Sequence, residues 1–351
     1  MTASESPATR RKRLLADLFP EGVPGLWCPP LTHYDAEGAI DRQRVAAQLE
    51  FMSPWVKGLL VPGSTGDGWE LSASEARELV ELVLGEVQRL KLRLLIGALR
   101  PVAADARRVI AETRGFLQDR AEAEAVEECL VQTRVCGFAV CPPRGRLVTQ
   151  LEMDAALSDV LSLGLPTAMY QIPQVTENVM RPELVASLAR RFGNFILFKD
   201  SSGADDVAKT GHDFDGLFLV RGAEGNYAQW LKTGGGVYHG LLLSTANCFG
   251  RQLHQISENL STGRLTEAKE MSERLTGFIK EMSRLVRGIP DGNQFANAGK
   301  AVDHFHAHGP SASQVPPPRL HSGRSLPVEV IRATGEALAR HRLMPAKGYL
   351  E

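Results

Sequence analysis

The strongest constraint on the fold is an alternation. Eight short apolar runs, each bounded by glycine, proline or polar residues, are separated by longer stretches whose apolar positions recur three and four residues apart. The runs cover residues 25–29, 58–62, 93–98, 137–141, 167–172, 196–199, 217–221 and 237–243. Between them, stretches such as 74–91, 103–116, 153–163 and 182–192 have the period of amphipathic helices. Strand candidates that alternate with helices imply a parallel sheet wound with helices. Eight such repeats within roughly 230 residues match a (β/α)8 TIM barrel, which typically takes about 250. An open doubly wound sheet would carry a nucleotide fingerprint after its first strand, and residues 27–32 have none.

The remaining segments complete the domain reading. Residues 1–22 form a polar N-terminal arm with Pro7 and Pro20, ending in a short helix over about 14–19. Residues 23–260 form the barrel, and 261–351 form a C-terminal helical region with helices over 265–287, 300–308 and 327–342. The stretch 309–326, with Pro310, Pro316, Pro317 and Pro318, is too rich in proline, glycine and serine for regular structure and is expected to wrap or hang loose.

Composition narrows the class of partner. With 351 residues and a formal net charge of -1, the chain can bury a large core and has no general attraction for nucleic acid or an anionic membrane. No apolar run reaches the roughly 18 residues of a membrane span. The basic cluster Arg10, Arg11, Lys12 and Arg13 is not followed by a signal-peptide core, which reads as a cytoplasmic protein. The five cysteines, Cys28, Cys129, Cys136, Cys141 and Cys248, are odd in number and lack CxxC spacing, against a disulfide framework or cysteine-bound zinc. A small molecule is the expected partner.

In a barrel of this kind the reacting groups sit at the C-terminal ends of strands. Three ends stand out. The sixth run closes on Lys199, after Phe195, Ile196, Leu197 and Phe198. A lysine carried into a barrel mouth is desolvated, which favours the neutral amine, and a neutral amine attacks ketones. Taken alone, such a lysine can equally snorkel to solvent or pair with Asp200. The second run ends in residues 63–68, Gly-Ser-Thr-Gly-Asp-Gly, where small residues, two hydroxyls and backbone N–H groups precede a helix that starts near Ser72 or Ser74. That composition suits an anion, and without a Gly-Lys-Ser/Thr ending a carboxylate fits better than a nucleoside triphosphate; an ordinary strand-to-helix turn has the same composition. The fifth run ends in Tyr170-Gln171-Ile172-Pro173, whose phenol can relay a proton or be a core tyrosine bonded to backbone.

Together, Gly-Ser-Thr-Gly-Asp, Tyr-Gln-Ile-Pro and Lys-Asp-Ser-Ser-Gly, in this order on strands two, five and six, resemble the dihydrodipicolinate synthase and N-acetylneuraminate lyase superfamily of class I aldolases. The resemblance spans about residues 25–285. It implies that Lys199 forms the Schiff base, that Tyr170 shuttles the proton, and that Gly63, Ser64 and Thr65 hold the keto acid's carboxylate. It implies a homotetramer, and an eighth-strand end at Gly240, Leu242 and residues 244–247 that lines a pyruvate pocket. Neither a metal nor an organic cofactor is expected.

Two departures argue against lysine-pathway synthesis. Where that synthase carries a tyrosine pair after strand four, one of them reaching the neighbouring subunit, this chain has Cys141-Pro142-Pro143-Arg144. Where it carries an arginine after its Tyr-Asn-x-Pro motif, this chain reads Gln174-Val175-Thr176. Arg144 is suited to a substrate carboxylate, or is a surface arginine; Glu224 meets substrate hydroxyls of a sugar-acid type, or is a solvated loop carboxylate. The expected activity is a pyruvate-dependent carbon-carbon lyase of a hydroxylated 2-keto acid, with an aldehyde as the second partner. A Schiff-base dehydratase of a keto-deoxy sugar acid and a non-catalytic keto-acid-binding paralogue are the alternatives. His304, His306 and His308 alternate near a helix end, where only His304 and His308 share a face; helix-end solvation accounts for them without a metal. Gly234-Gly235-Gly236 precedes a strand and is a turn.

Overall fold

The computed structural model describes residues 5–351. Its strands β1 (Leu26–Cys28), β2 (Gly58–Val61), β3 (Arg93–Gly97), β4 (Val135–Val140), β5 (Thr167–Gln171), β6 (Phe195–Asp200), β7 (Phe218–Arg221) and β8 (Gly240–Leu242) follow one another in sequence order and close into a barrel. Each falls on one of the eight apolar runs. Every residue of β1 to β6 is buried, as parallel strands covered on both faces require.

The helices are α1 (Pro7–Leu18), α2 (Arg42–Met52), α3 (Ala73–Arg89), α4 (Ala103–Ala121), α5 (Val126–Thr133), α6 (Gln150–Leu161), α7 (Pro173–Thr176), α8 (Pro182–Arg191), α9 (Asp206–Lys209), α10 (Tyr227–Trp230), α11 (Ala246–Ser261), α12 (Leu265–Leu285), α13 (Gln294–His308) and α14 (Val328–Arg340). Their starts follow local chemistry. Ser72 and Glu75 close a capping box on α3, and Thr149 and Glu152 do the same on α6, each pair satisfying two otherwise orphaned N–H groups.

The chain packs as two compact units. One takes the stretch up to Gly25 with Arg93–Ala223 and Val237–Leu241. In it β3 to β7 lie side by side, with a register shift between Leu94 and Leu95. Gly137 sits at that irregularity with φ 141°, and a Cβ there would collide with the Pro166 carbonyl. Helix α1 begins at Pro7, well before the expected turn over 14–19, because Ser6 caps it by accepting from Thr9 N–H and Pro7 suits the first helical position. Arg11 of this helix is fully buried. Its guanidinium donates to the carbonyls of Phe195 (2.6 Å), Asp215 (2.6 Å), Ala189 (2.5 Å) and Phe192 (2.9 Å), stapling α1 to the base of β6.

The other unit takes Leu26–Leu92, Glu224–Gly236 and Leu242–Glu351. Helix α11 kinks at Phe249, where φ and ψ leave the helical range. Helix α13 starts at Gln294, ahead of the expected 300, because Asn293 caps it by accepting from Phe295 and Ala296 N–H. The proline-rich stretch 309–326 makes one 3-10 turn over Gly309–Gln314 and an antiparallel bridge between Arg319 and Ser325, and it buries Ala312, Leu320 and Leu326. Among the described residues no helix is long and apolar enough to cross a membrane.

Candidate active site

Lys199 is the penultimate residue of β6, at the strand's C-terminal end, and is only 4% exposed. The register sets it beside Tyr170 of β5 and Val220 of β7. Its Nζ lies 3.7 Å from the centroid of the Tyr170 ring, itself buried. Among the described residues Lys199 has no hydrogen-bond or ion-pair partner, and neither does the Tyr170 hydroxyl. Gly222, after β7, keeps the space for this side chain. A Cβ on Gly222 would lie 2.8 Å from Lys199 Cε and would strike Ser201 Oγ.

Asp200, the neighbour that could have claimed the lysine, is engaged elsewhere. Successive strand residues point to opposite faces, so Lys199 and Asp200 diverge. The Asp200 carboxylate accepts from Gln171 Nε2 (3.2 Å), Ser202 N–H (2.8 Å) and the Tyr238 hydroxyl (3.4 Å). Behind it, Arg221 holds Asp205 through two bonds of 2.8 and 3.1 Å, and Tyr238 donates to Asp205 at 2.8 Å. Each buried charge in this layer therefore has a partner, as burial demands, and none is drawn from Lys199. Cys141, at the end of β4, is a buried thiol that burial pushes up, with the Lys199 charge opposing. It is a poor nucleophile in that state.

Arg144 lies beyond that cysteine with a side chain 57% exposed, and its guanidinium reaches Glu177 at 3.4 Å. Gln174 donates to the Ser201 carbonyl at 2.9 Å. These side chains and the Lys199–Tyr170 pair belong to one unit.

The expected carboxylate loop lies in the other unit. Gly63, Ser64, Thr65 and Gly66 follow β2, with Ser64–Gly66 forming a 3-10 turn that Asp67 ends in the left-handed region at φ 58°. The N–H groups of Gly66 and Gly68 turn back on the Gly63 carbonyl at 3.0 and 2.9 Å, so two of the donors that composition offers to an anion are spent within the loop. Ser64 Oγ accepts from the Trp69 indole (2.8 Å), and the Ser64 carbonyl accepts from Asn293 (2.9 Å). Thr65 is 4% exposed, and its hydroxyl has no protein partner among the described residues.

Sequence reasoning missed what holds this loop. Asp67 and Lys300 of α13 form a buried ion pair at 2.8 Å, and the Tyr34 hydroxyl reaches the same Asp67 oxygen at 3.0 Å. The available signal was an aspartate in a glycine turn and a lysine between Gly299 and Ala301 on an apolar helix. A second missed hub is Asp303, fully buried, which accepts from Arg44 (2.8 Å), Gln48 (3.1 Å) and the Tyr349 hydroxyl (3.1 Å to each oxygen). Arg44 and His33 hold its carboxyl below the usual range against the burial that raises it.

Glu224 is in this second unit and is fully engaged. One oxygen accepts from Ser244 Oγ (2.6 Å) and Thr245 N–H (3.0 Å), the other from Thr245 Oγ1 (2.6 Å) and the Tyr227 hydroxyl (2.9 Å). A substrate hydroxyl would have to displace one of these donors. Leu242 is buried at the end of β8, just before that turn. Glu224, Ser244 and Thr245 also line a cavity of about 60 Å³ with Phe249, Met282 and Val302. The histidine triplet divides as its spacing implies: the His304 and His308 rings meet at 5.0 Å, with His304 Nε2 contacting the Ala312 carbonyl (2.8 Å) and His308 Nε2 contacting Arg44 (3.2 Å), while His306 packs against Phe51 and Phe249. No group of three or more metal-ligating side chains comes together among the described residues.

Known proteins share the barrel fold. The model of the Dihydrodipicolinate synthetase family matches residues 135–290. The chain is 26% identical over 258 residues to a 4-hydroxy-tetrahydrodipicolinate synthase of Pseudoalteromonas atlantica, covering 72% of this chain and 80% of that protein. It is 27% identical over 263 residues to the synthase of Agrobacterium fabrum, covering 74% and 81%. Among solved structures, the fold is similar to YagE, an E. coli prophage protein of the dihydrodipicolinic acid synthase family in complex with pyruvate, at TM-score 0.68 and 18% identity over 91% of this chain and 98% of that one. It is also similar to a variant of the Sulfolobus solfataricus 2-keto-3-deoxygluconate aldolase, at TM-score 0.66 and 14% identity over 91% and 96%.

Proposed function

We propose that this chain, which belongs to the dihydrodipicolinate synthase and N-acetylneuraminate lyase superfamily of Schiff-base pyruvate aldolases, makes or breaks the carbon-carbon bond at C3 of a hydroxylated 2-keto acid. The observation that carries this reading is the enclosed amine of Lys199, which lies on the Tyr170 ring with no carboxylate claiming it. The amine attacks C2, water leaves, and the iminium becomes the electron sink. In the cleavage direction a base takes the C4 hydroxyl proton, the C3–C4 bond breaks, and its electron pair forms an enamine while the C4 fragment departs as an aldehyde. Protonation at C3 and hydrolysis of the imine then return pyruvate and the free amine. Tyr170 is the group assigned to the C4 hydroxyl proton, since its phenol is both donor and acceptor. Ser64 and Thr65, with the backbone at Gly63, are assigned to the carboxylate. The iminium supplies the electron sink that a metal or organic cofactor would otherwise supply.

The curated relatives are 4-hydroxy-tetrahydrodipicolinate synthases, but the residues at 141–144 and 174–176 argue for a different aldehyde. Arg144, released from Glu177, is assigned to a carboxylate on the incoming substrate, which fits a sugar-acid aldehyde. Self-association is part of the proposal. Leu147 and Leu151, 92% and 78% exposed and flanking Gln150, which bonds the Val179 carbonyl, are the apolar side chains offered to a second copy, toward a homotetramer.

The test is to supply the full-length protein with a panel of 2-keto-3-deoxy sugar acids and measure released pyruvate and aldehyde. Pyruvate and aldehyde in equal amounts support the lyase. Loss of water with no pyruvate makes the enzyme a dehydratase that uses the same imine, and no consumption of any member, with pyruvate still bound, makes it a keto-acid-binding protein.

A further inference from the structure

Within the unit that holds α2 and α11 to α14, a half-open cavity of about 280 Å³ is walled by Phe51, Trp55, Cys248, His306 and the exposed Arg251 and Arg342, with the segment after α14 contributing to its lining. Among the described residues no aspartate or glutamate lines it. Arg251 and Arg342 have no ion-pair partner among the described residues, whereas Arg340, two residues before Arg342, is paired with Glu281. Arg342 is also held in the left-handed region at φ 56°, the position after a helix where glycine is common. His306 is 6% exposed, its ring packs against Phe51 and Phe249, and its Nε2 has no hydrogen-bond partner among the described residues. Burial pulls its pKa down to about 4, so the imidazole is neutral near pH 7 and the two guanidinium groups are the fixed charges.

Size and chemistry together specify an occupant. A cavity of about 150 Å³ already accommodates a benzene ring, so this one has room for a ring with a short side chain. Aromatic walls favour a flat apolar body, and forked guanidinium donors match a carboxylate. We propose that this cavity is a second ligand site, which takes an aromatic carboxylate, with the ring against the wall that Phe51 and Trp55 form by meeting edge to face at 6.4 Å and the carboxylate toward Arg251 and Arg342. None of these residues takes part in the imine chemistry, so the site stands independently of it.

The test uses the full-length protein and 3-phenylpropionate, with 3-phenylpropylamine and 3-phenylpropionamide as cationic and neutral counterparts. Calorimetry is expected to show saturable binding of the acid, at least about tenfold weaker for the amide and for the Arg251→Ala, Arg342→Ala double variant. Tryptophan fluorescence is expected to change on binding, and Trp55→Phe to abolish that change while the heat remains. A Lys199→Ala variant is expected to bind the acid as the parent does. The proposal is overturned if no saturable heat appears, if the amine binds as well as the acid, if the double arginine variant binds unchanged, or if Lys199→Ala loses binding, which would put the ligand in the barrel.

Discussion

Replacing Lys300 with Met isolates the buried pair that holds the carboxylate loop. Lys300 Nζ lies 2.8 Å from Asp67, with side chains 0% and 2% exposed, and 4.6 Å from the centre of the Tyr34 ring. Burial pushes the Lys300 pKa down while Asp67 pulls it up. At an effective dielectric of about 20, charges at that separation attract by about 6 kcal/mol. Removing both charges from water offsets much of this, so the intact pair contributes little net stability. Breaking it is different, because Met leaves Asp67 buried with one hydroxyl for company, and such orphaned charges cost about 3–5 kcal/mol. Urea unfolding followed by tryptophan fluorescence reads the change directly, and Trp69 reports on the loop because its indole donates to Ser64. The midpoint is expected to fall with the slope unchanged. The Asp67→Asn, Lys300→Met double variant, with no charge left to strand, is expected to recover much of the loss. The single variant is also expected to need more pyruvate for half-maximal imine formation, since Asp67 ends the turn that carries Ser64 and Thr65. A single variant within about 1 kcal/mol of the parent, or a double variant less stable than the single, would refute the argument, being well outside the cost of an orphaned buried charge.

Four further outcomes are expected. Arg11→Met takes the guanidinium away from four carbonyls, of which that of Phe192 still accepts from Phe195 N–H, so it is expected to destabilise by about 3–5 kcal/mol in thermal or urea unfolding, and a loss under about 1 kcal/mol contradicts the staple. His306, pulled from 6.5 to about 4, binds its proton more readily in the unfolded chain. Its contribution is therefore fully present above pH 6.5 and is lost as pH falls toward 4, by about 3 kcal/mol; His306→Phe is expected to flatten that slope, and an unchanged slope counts against it. Tyr170→Phe is expected to keep the borohydride adduct while turnover drops by about 10² to 10⁴, and a rate within about threefold of the parent assigns the proton to another group. Leu147→Asp with Leu151→Asp is expected to shift the sedimenting species to smaller mass, and an unchanged distribution shows that self-association uses another surface.

The barrel was legible because eight apolar runs in a repeating pattern have few other ways to be buried, and each run holds its strand. Helix starts were less legible. The caps at Ser6 and Asn293 lie outside the hydrophobic period, so α1 and α13 begin earlier than periodicity places them. Lys199 and Tyr170 could be singled out because both close apolar runs at a barrel mouth, and pairing of β5 with β6 brings them together. Sequence could not say whether Asp200 would take the lysine; strand alternation and the donors from Gln171, Ser202 and Tyr238 decide it. The buried pairs of Asp67 with Lys300 and Asp303 with Arg44 join residues more than two hundred positions apart, a relation that no local pattern encodes. Glu224 was visible as an acidic residue after the seventh run, but the four donors on its carboxylate come from Tyr227, Ser244 and Thr245 and emerge only in the folded chain.

The central claim is that Lys199 forms the imine, and trapping tests it most directly. The full-length protein is incubated with saturating pyruvate, reduced with borohydride, weighed intact and mapped by peptide mass. The account predicts one reduced pyruvyl adduct per chain, on the peptide that carries Lys199, and none in Lys199→Ala. An adduct on Lys300, the other deeply buried lysine, or no adduct at saturating pyruvate would contradict it.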